Sequence, residues 1–228
     1  MGIYIEKLRT TPKRSTNVYA VTIHSQIITT TVTSSRTVLS SWIRDHLQAP
    51  CSRHRKVVGL DIEWRPSFTR GVKNPVAIIQ LCIKSCCLIF QLHHASSIPK
   101  SLYNALDNPN ITYTGVKISG DAKKLEEDYG LEIACFADIA AMAAEEFDEK
   151  GFKRAGLKTL VETLTGEEMD KPKHVALSNW EVKKLTCAQV QYACVDAYYS
   201  YRMGKWMISG KCLYKLYFVG MDATCVQC

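Results

Sequence analysis

Three apolar runs, "VVGLDIEW" (57–64), "VAIIQLCI" (76–83) and "CCLIFQL" (86–92), follow one another with only polar links between them. Runs of this kind read as strands, and consecutive strands joined without a helix lie beside one another, which predicts three adjacent antiparallel strands. The pattern then changes. Helix "KSLYNALD", strand "ITYTGV", helix "DAKKLEEDYG" and strand "LEIACFAD" alternate, followed by helices over about 138–146 and 156–164 and a long helix over about 187–207. Strands that lead into an alternation with helices predict an α/β domain with a mixed sheet.

Upstream, "VYAVTIHSQIITTTVT" is rich in β-branched residues and broken at Ser25-Gln26, which predicts a hairpin. The segment "SSRTVLSSWIRDHL" opens on cap-type serines and spaces Val38, Trp42 and Leu47 at near-helical intervals. We read residues 1–55 as an extension, a hairpin plus a helix, that packs on a main domain over 56–208, with a tail over 209–228. At 228 residues the chain suits one sizeable domain. No apolar run reaches the roughly 18 residues that span a bilayer, and the first residues lack a signal-peptide core, so the expectation is an intracellular protein of the nucleus or cytoplasm with no membrane partner. Of the ten cysteines, those in strand-like and helical runs (Cys82, Cys86, Cys87, Cys187, Cys194) act as small hydrophobes. Cys225 and Cys228 have half the spacing of a zinc site and nothing to complete it, so they read as part of a free tail.

Acids stand where a strand and helices should bury apolar side chains. The period of two along "VVGLDIEW" puts Asp61 and Glu63 on one face, where two adjacent carboxylates repel unless a cation neutralises them. Asp121 follows Gly120 where a strand gives way to a helix, and Tyr192 and Asp196 lie one helical turn apart in "YACVDAYYSY". Each has an ordinary reading taken singly: solvated acids at a strand end, a helix-N-terminal aspartate, a core tyrosine beside an exposed acid. Together, hard carboxylate oxygens without a His/Cys cluster favour Mg²⁺ or Mn²⁺, and four acids around two ions make a site for phosphodiester hydrolysis.

The motifs "LDIEW", "TGVKISGDAKKL" and "QVQYACVDA", with "GLKTLVETLTG" and "LSNWEVKKLT" in order between the last two, resemble the DEDD-type 3′–5′ exonucleases, and most of all the small plant enzymes similar to the Werner-syndrome exonuclease domain. The resemblance spans about residues 56–208. It implies an RNase H-like mixed five-stranded sheet flanked by helices. It also implies two Mg²⁺ or Mn²⁺ ions held by Asp61, Glu63, Asp121 and Asp196, and hydrolysis at the 3′ end of a single-stranded or partly single-stranded RNA or DNA. One branch of the family carries a His five residues before the last Asp and the other a Tyr four before it. Here those positions are Gln191 and Tyr192, so the resemblance is to the tyrosine branch, with Tyr192 orienting or deprotonating the attacking water.

The net charge of +7 suits a polyanionic partner, and the excess is clustered at Arg9, Lys13 and Arg14, at Arg53, Arg55 and Lys56, and at Arg65, Arg70 and Lys73. Arg65, Arg70 and Lys73 are candidate phosphate contacts, and Trp64 either stacks on a terminal base or packs in the core. Asp138 reads as a helix cap and His93 and His94 as a strand-end pair. Two other functions remain open: a catalytically silent nucleic-acid-binding or scaffold module of the same fold, and an RNase H-like endonuclease. Homo-oligomerisation and the choice between RNA and DNA are also left open.

Overall fold

The computed structural model describes residues 2–11, 15–48 and 55–210. The N-terminal part contains β1 (Ile3–Thr11), β2 (Thr16–Ile23), β3 (Gln26–Thr33) and α1 (Arg36–Ile43), the last continued by a π-helical turn. Then come β4 (Lys56–Trp64), β5 (Val76–Ile83), β6 (Cys86–Phe90), α2 (Lys100–Leu106), β7 (Ile111–Gly115) and α3 (Ile118–Tyr129). β8 (Phe136–Asp138), α4 (Ile139–Glu146), α5 (Leu157–Thr165), α6 (Lys173–Ala176) and α7 (Cys187–Ile208) complete the described chain.

The strands form one mixed sheet in the order β1-β2-β3-β6-β5-β4-β7-β8. The three apolar runs are the antiparallel group β4–β5–β6, as expected. Strands β7 and β8 add in parallel beyond β4, and these five strands are the expected core. The N-terminal hairpin extends the same sheet: β3 pairs in parallel with β6, from Thr29 opposite Cys86 to Thr33 opposite Phe90. Strand β1 lies outside the sequence-based expectation. Among the described residues it is an edge strand paired with β2, and its alternation is faint because Ile3 and Ile5 are only partly buried while Tyr4 and Leu8 face solvent. β8 is shorter than the expected run over 131–138: it pairs with Tyr113–Gly115 of β7, and Leu131 is buried without joining the sheet.

Helix α7 positions half of the site. Its start is a capping box: the Gln189 N–H donates to Thr186 Oγ1 (3.2 Å) and the Thr186 N–H to Gln189 Oε1 (3.0 Å). Most of its residues from Gln189 to Gly204 are buried, as befits a helix covered on several sides. Two glycines let it lie close to the sheet. A Cβ on Gly59 of β4 would strike the α7 backbone at Ala197 and Tyr201, and one on Gly204 would strike Thr114 of β7. The Thr114 hydroxyl in turn donates to the Ser200 carbonyl (2.7 Å). Because the obstruction at Gly59 is backbone, Gly59→Ala is expected to cost about 3 kcal/mol, the upper part of the usual overpacking range, and to move Asp196 away from Asp61. Chemical denaturation read against metal binding checks both effects.

Candidate active site

Asp61 and Glu63 follow Gly59 along the face of β4 that packs on α7, and Asp196 comes down from α7 to meet them. One carboxylate oxygen from each of the three lies within 4.8 Å of the others. Asp196 is buried, whereas Asp61 and Glu63 are half-buried at the mouth. Asp121, in the first turn of α3, stands outside this triplet, but its charge is felt at both Asp61 and Glu63. Asp138 is committed elsewhere: its carboxylate caps α4 by accepting from the Ala140 and Ala141 N–H groups (2.9 and 3.1 Å) and accepts from the Lys117 N–H (2.6 Å). His94 likewise bonds the Glu181 carbonyl (2.9 Å).

The acids share one electrostatic problem. Burial pushes Asp61 well above the carboxylate range, and the charges of Asp196 and Asp121 push it further. Burial, then Asp61, raises Glu63 to about 10. Asp121 rises to about 7, mainly by burial, with the Lys171 ammonium opposing. Asp196 is also raised by burial, against the opposing pull of Lys171 and the Tyr192 hydroxyl. Lys171, which sequence reasoning missed, places its Nζ 2.6 Å from Asp196 Oδ2, and its charge is felt at Asp61, Glu63 and Asp121. Burial alone would lower the Lys171 pKa, but the Asp196 and Asp61 carboxylates outweigh this and hold it above its ordinary value. Four carboxylates against this ammonium leave the cluster short of positive charge, and an all-oxygen donor set fits a hard divalent cation. Gln80 points the same way. It lies opposite Asp61 in the β4–β5 register, so it shares that face; it is fully buried, and neither amide atom has a hydrogen-bond partner among the described residues.

Tyr192 sits one turn before Asp196 and is buried. Its ring packs against fully buried Trp180 (centroids 5.9 Å apart), whose indole N–H donates to the Ala176 carbonyl (3.1 Å). The Lys171 ammonium lies 5.3 Å from the same ring. Burial first, then the Asp196 charge, raises the phenol's pKa above its ordinary value, so it keeps its proton at neutral pH.

Basic side chains stand beside this centre, several of them next to acids, as Lys123 does to Glu127 (3.6 Å). Trp64 is 38% exposed and borders a cleft of about 330 Å³ lined also by Lys73, Asn74, Gly120 and Lys123. Lys124 stands 5.2 Å from the Trp64 ring and pairs with Asp128 (3.0 Å). Arg65 pairs with Glu181 (3.5 Å), so it is partly engaged within the protein, while Arg70 and Lys73 are exposed. Lys13, Arg14, Arg53, Cys225 and Cys228 lie outside the described residues. Cys82, Cys87 and Cys194 are buried as expected, but Cys86 is half-buried and Cys187, on the outward side of the first turn of α7, is exposed while Gln189 and Val190 after it are buried. Among the described residues no helix is long and apolar enough to cross a membrane.

A family model described as 3′–5′ exonuclease matches residues 30–207. A 3′–5′ exonuclease of Arabidopsis thaliana is 41% identical over 150 residues, which is 65% of this chain and 51% of that protein. The mouse bifunctional 3′–5′ exonuclease/ATP-dependent helicase WRN is 36% identical over 62% of this chain and 10% of its own length. The chain thus spans at most about half of these relatives. In fold it is similar to RNase D of Trypanosoma brucei (TM-score 0.69, 15% identity, 81% of this chain and 66% of that one), which makes the mixed sheet an RNase H-like one.

Proposed function

Because the chain belongs to the 3′–5′ exonuclease family, we propose that it hydrolyses phosphodiester bonds at the 3′ end of single-stranded or partly single-stranded RNA or DNA, in the manner of the tyrosine branch. The observation that carries this reading is the meeting of Asp61 and Glu63 with Asp196, from segments more than a hundred residues apart, one helical turn from Tyr192. Asp61, Glu63 and Asp196, with Asp121 at the edge, would hold two Mg²⁺ or Mn²⁺ ions. Such ions, when bound, activate the attacking water and stabilise the leaving 3′ oxygen.

The chain's own residues supply the remainder. The Tyr192 hydroxyl, kept protonated and braced by Trp180, orients the attacking water towards the terminal phosphodiester. Trp64 offers a face on which a base stacks without regard to its identity, and Arg70 and Lys73, with Arg65 once released from Glu181, hold phosphates. In this reading residues 56–208 form the exonuclease domain, 1–55 extend its sheet edge, and the enzyme works inside the cell.

Binding is expected to depend on salt and little on base sequence. Lys73→Glu should weaken single-strand affinity and flatten the slope of log affinity against log salt by about 0.7 for each phosphate no longer neutralised. Filter binding across a salt series checks this, and an unchanged slope would make the cluster plain solvated surface. The activity itself is tested with matched 5′-labelled RNA and DNA, single- and double-stranded. Release of nucleoside monophosphates with Mg²⁺ or Mn²⁺ and its loss with chelator are expected. Binding without any release would favour the silent module.

A further inference from the structure

Lys171 sits in the irregular segment between α5 and α6, and its ammonium is delivered to the deepest acid of the site. The segment is anchored on both sides. Upstream, the Glu167 carboxylate accepts from the Tyr199 hydroxyl (3.0 Å) and pairs with Arg202, both on α7, and Met169 is buried. Downstream, Pro172 caps the short helix α6, whose Val175 is buried and whose Ala176 receives the Trp180 indole. The side chain is therefore aimed by the fold. Its Nζ lies 2.6 Å from Asp196 Oδ2 and above the Tyr192 ring, while the side chain remains 31% exposed.

We propose that Lys171 is a tethered counter-ion that occupies the cation position at Asp196 in the metal-free protein, and that a divalent ion must displace it to bind. This rests on the reading that the acid cluster holds divalent ions, and it adds that metal affinity is set partly by a residue that is not a ligand. The physical case is one of competition. Asp196 is buried, so it cannot be left ionised and unpaired. One ammonium on a flexible four-carbon stem meets that requirement and can withdraw along its exposed side towards solvent. A group that contacts only the metal-free form lowers metal affinity by the same factor by which metal weakens its own contact. Lys171 is thus a positioning residue that acts through Asp196.

The test needs no substrate. Mn²⁺ is titrated calorimetrically into the full chain as wild type, Lys171→Met, Lys171→Arg and Lys173→Met, and melting temperatures are taken with and without saturating Mn²⁺. Lys171→Met, which keeps the stem and removes the charge, should bind Mn²⁺ about tenfold more tightly, a typical coupling between sites. It should melt below wild type without metal, and this gap should close at saturation. Lys171→Arg should bind as wild type does, and so should Lys173→Met, which removes an exposed charge two residues away. Wild-type or weaker affinity in Lys171→Met, or an equal loss of melting temperature with and without metal, would overturn the proposal. Should the methionine variant fail to fold, the wild-type protein supplies an independent reading. The Lys171 Nζ resonance should move from a carboxylate-bonded to a solvated position as Mg²⁺ is added, and a resonance that stays put under saturating Mg²⁺ would also overturn it. If wild type takes up no metal at all, the metal reading itself fails, which is distinct from affinity unchanged by Lys171→Met.

Discussion

Alanine in place of Asp61 or Glu63 is expected to abolish hydrolysis, by about 10³-fold or more, while the fold survives. The two acids are held near each other and near Asp196 only at an electrostatic cost: burial and the neighbouring carboxylates raise Asp61 and Glu63, and burial raises Asp196. Removing one relieves repulsion in the metal-free protein and leaves the Lys171–Asp196 pair in place. Melting without metal should therefore be unchanged or higher, and the stabilisation gained on adding Mg²⁺ or Mn²⁺ should shrink, because a ligand is missing only from the loaded state. A scan series with and without metal, beside a nuclease assay, reads both. Full activity in either variant would remove the two-ion reading.

Tyr192→Phe separates a water-orienting phenol from a packing ring. The substitution keeps the ring that Trp180 and Lys171 touch and removes only the hydroxyl. A loss of roughly 10² to 10⁴-fold in rate is expected, the range for a positioned group at the reacting centre, with metal binding kept because the carboxylates are untouched. Since the phenol stays protonated near neutral pH, the loss should be one of orientation, visible across the whole neutral range rather than on one limb of the pH profile. Tyr192→His should not restore the rate: the histidine branch carries its His at the position of Gln191, about 100° round the helix. Wild-type turnover in the phenylalanine variant would make Tyr192 structural.

Much of this was legible in the sequence, for physical reasons that also mark where reading stopped. Strands β4, β5 and β6 are buried on both faces or nearly so, and the apolar runs they require are hard to mistake. Strand β1 escaped because an edge strand needs only a half-buried stripe, which Ile3 and Ile5 supply weakly. The acids stood out because carboxylates inside apolar segments conflict with local packing, and Asp61, Glu63 and Asp196 do converge. Lys171 gave no comparable signal. It is a lysine in a polar inter-helix segment, and the anchoring of that segment, by Glu167 and Met169 on one side and by Val175 and Ala176 on the other, brings it to Asp196. Gln80 was hidden for the opposite reason, as one polar residue in an otherwise apolar strand, whose place beside Asp61 and lack of a partner among the described residues show only once the strands are paired. The same limit applies to Arg65, whose pairing with Glu181 depends on a contact between segments far apart in the chain.

The central claim, hydrolysis that begins at a 3′ end, is tested most directly by one time course. A 5′-labelled linear single strand and the same strand closed into a circle are incubated with the protein and Mg²⁺ or Mn²⁺. The account predicts that the linear strand shortens stepwise from its 3′ end while the circle stays intact, since a closed strand has no end to enter the acid cluster. Nicking of the circle would make the protein an endonuclease on the same fold, and a linear strand that is bound but never shortened would contradict the account outright.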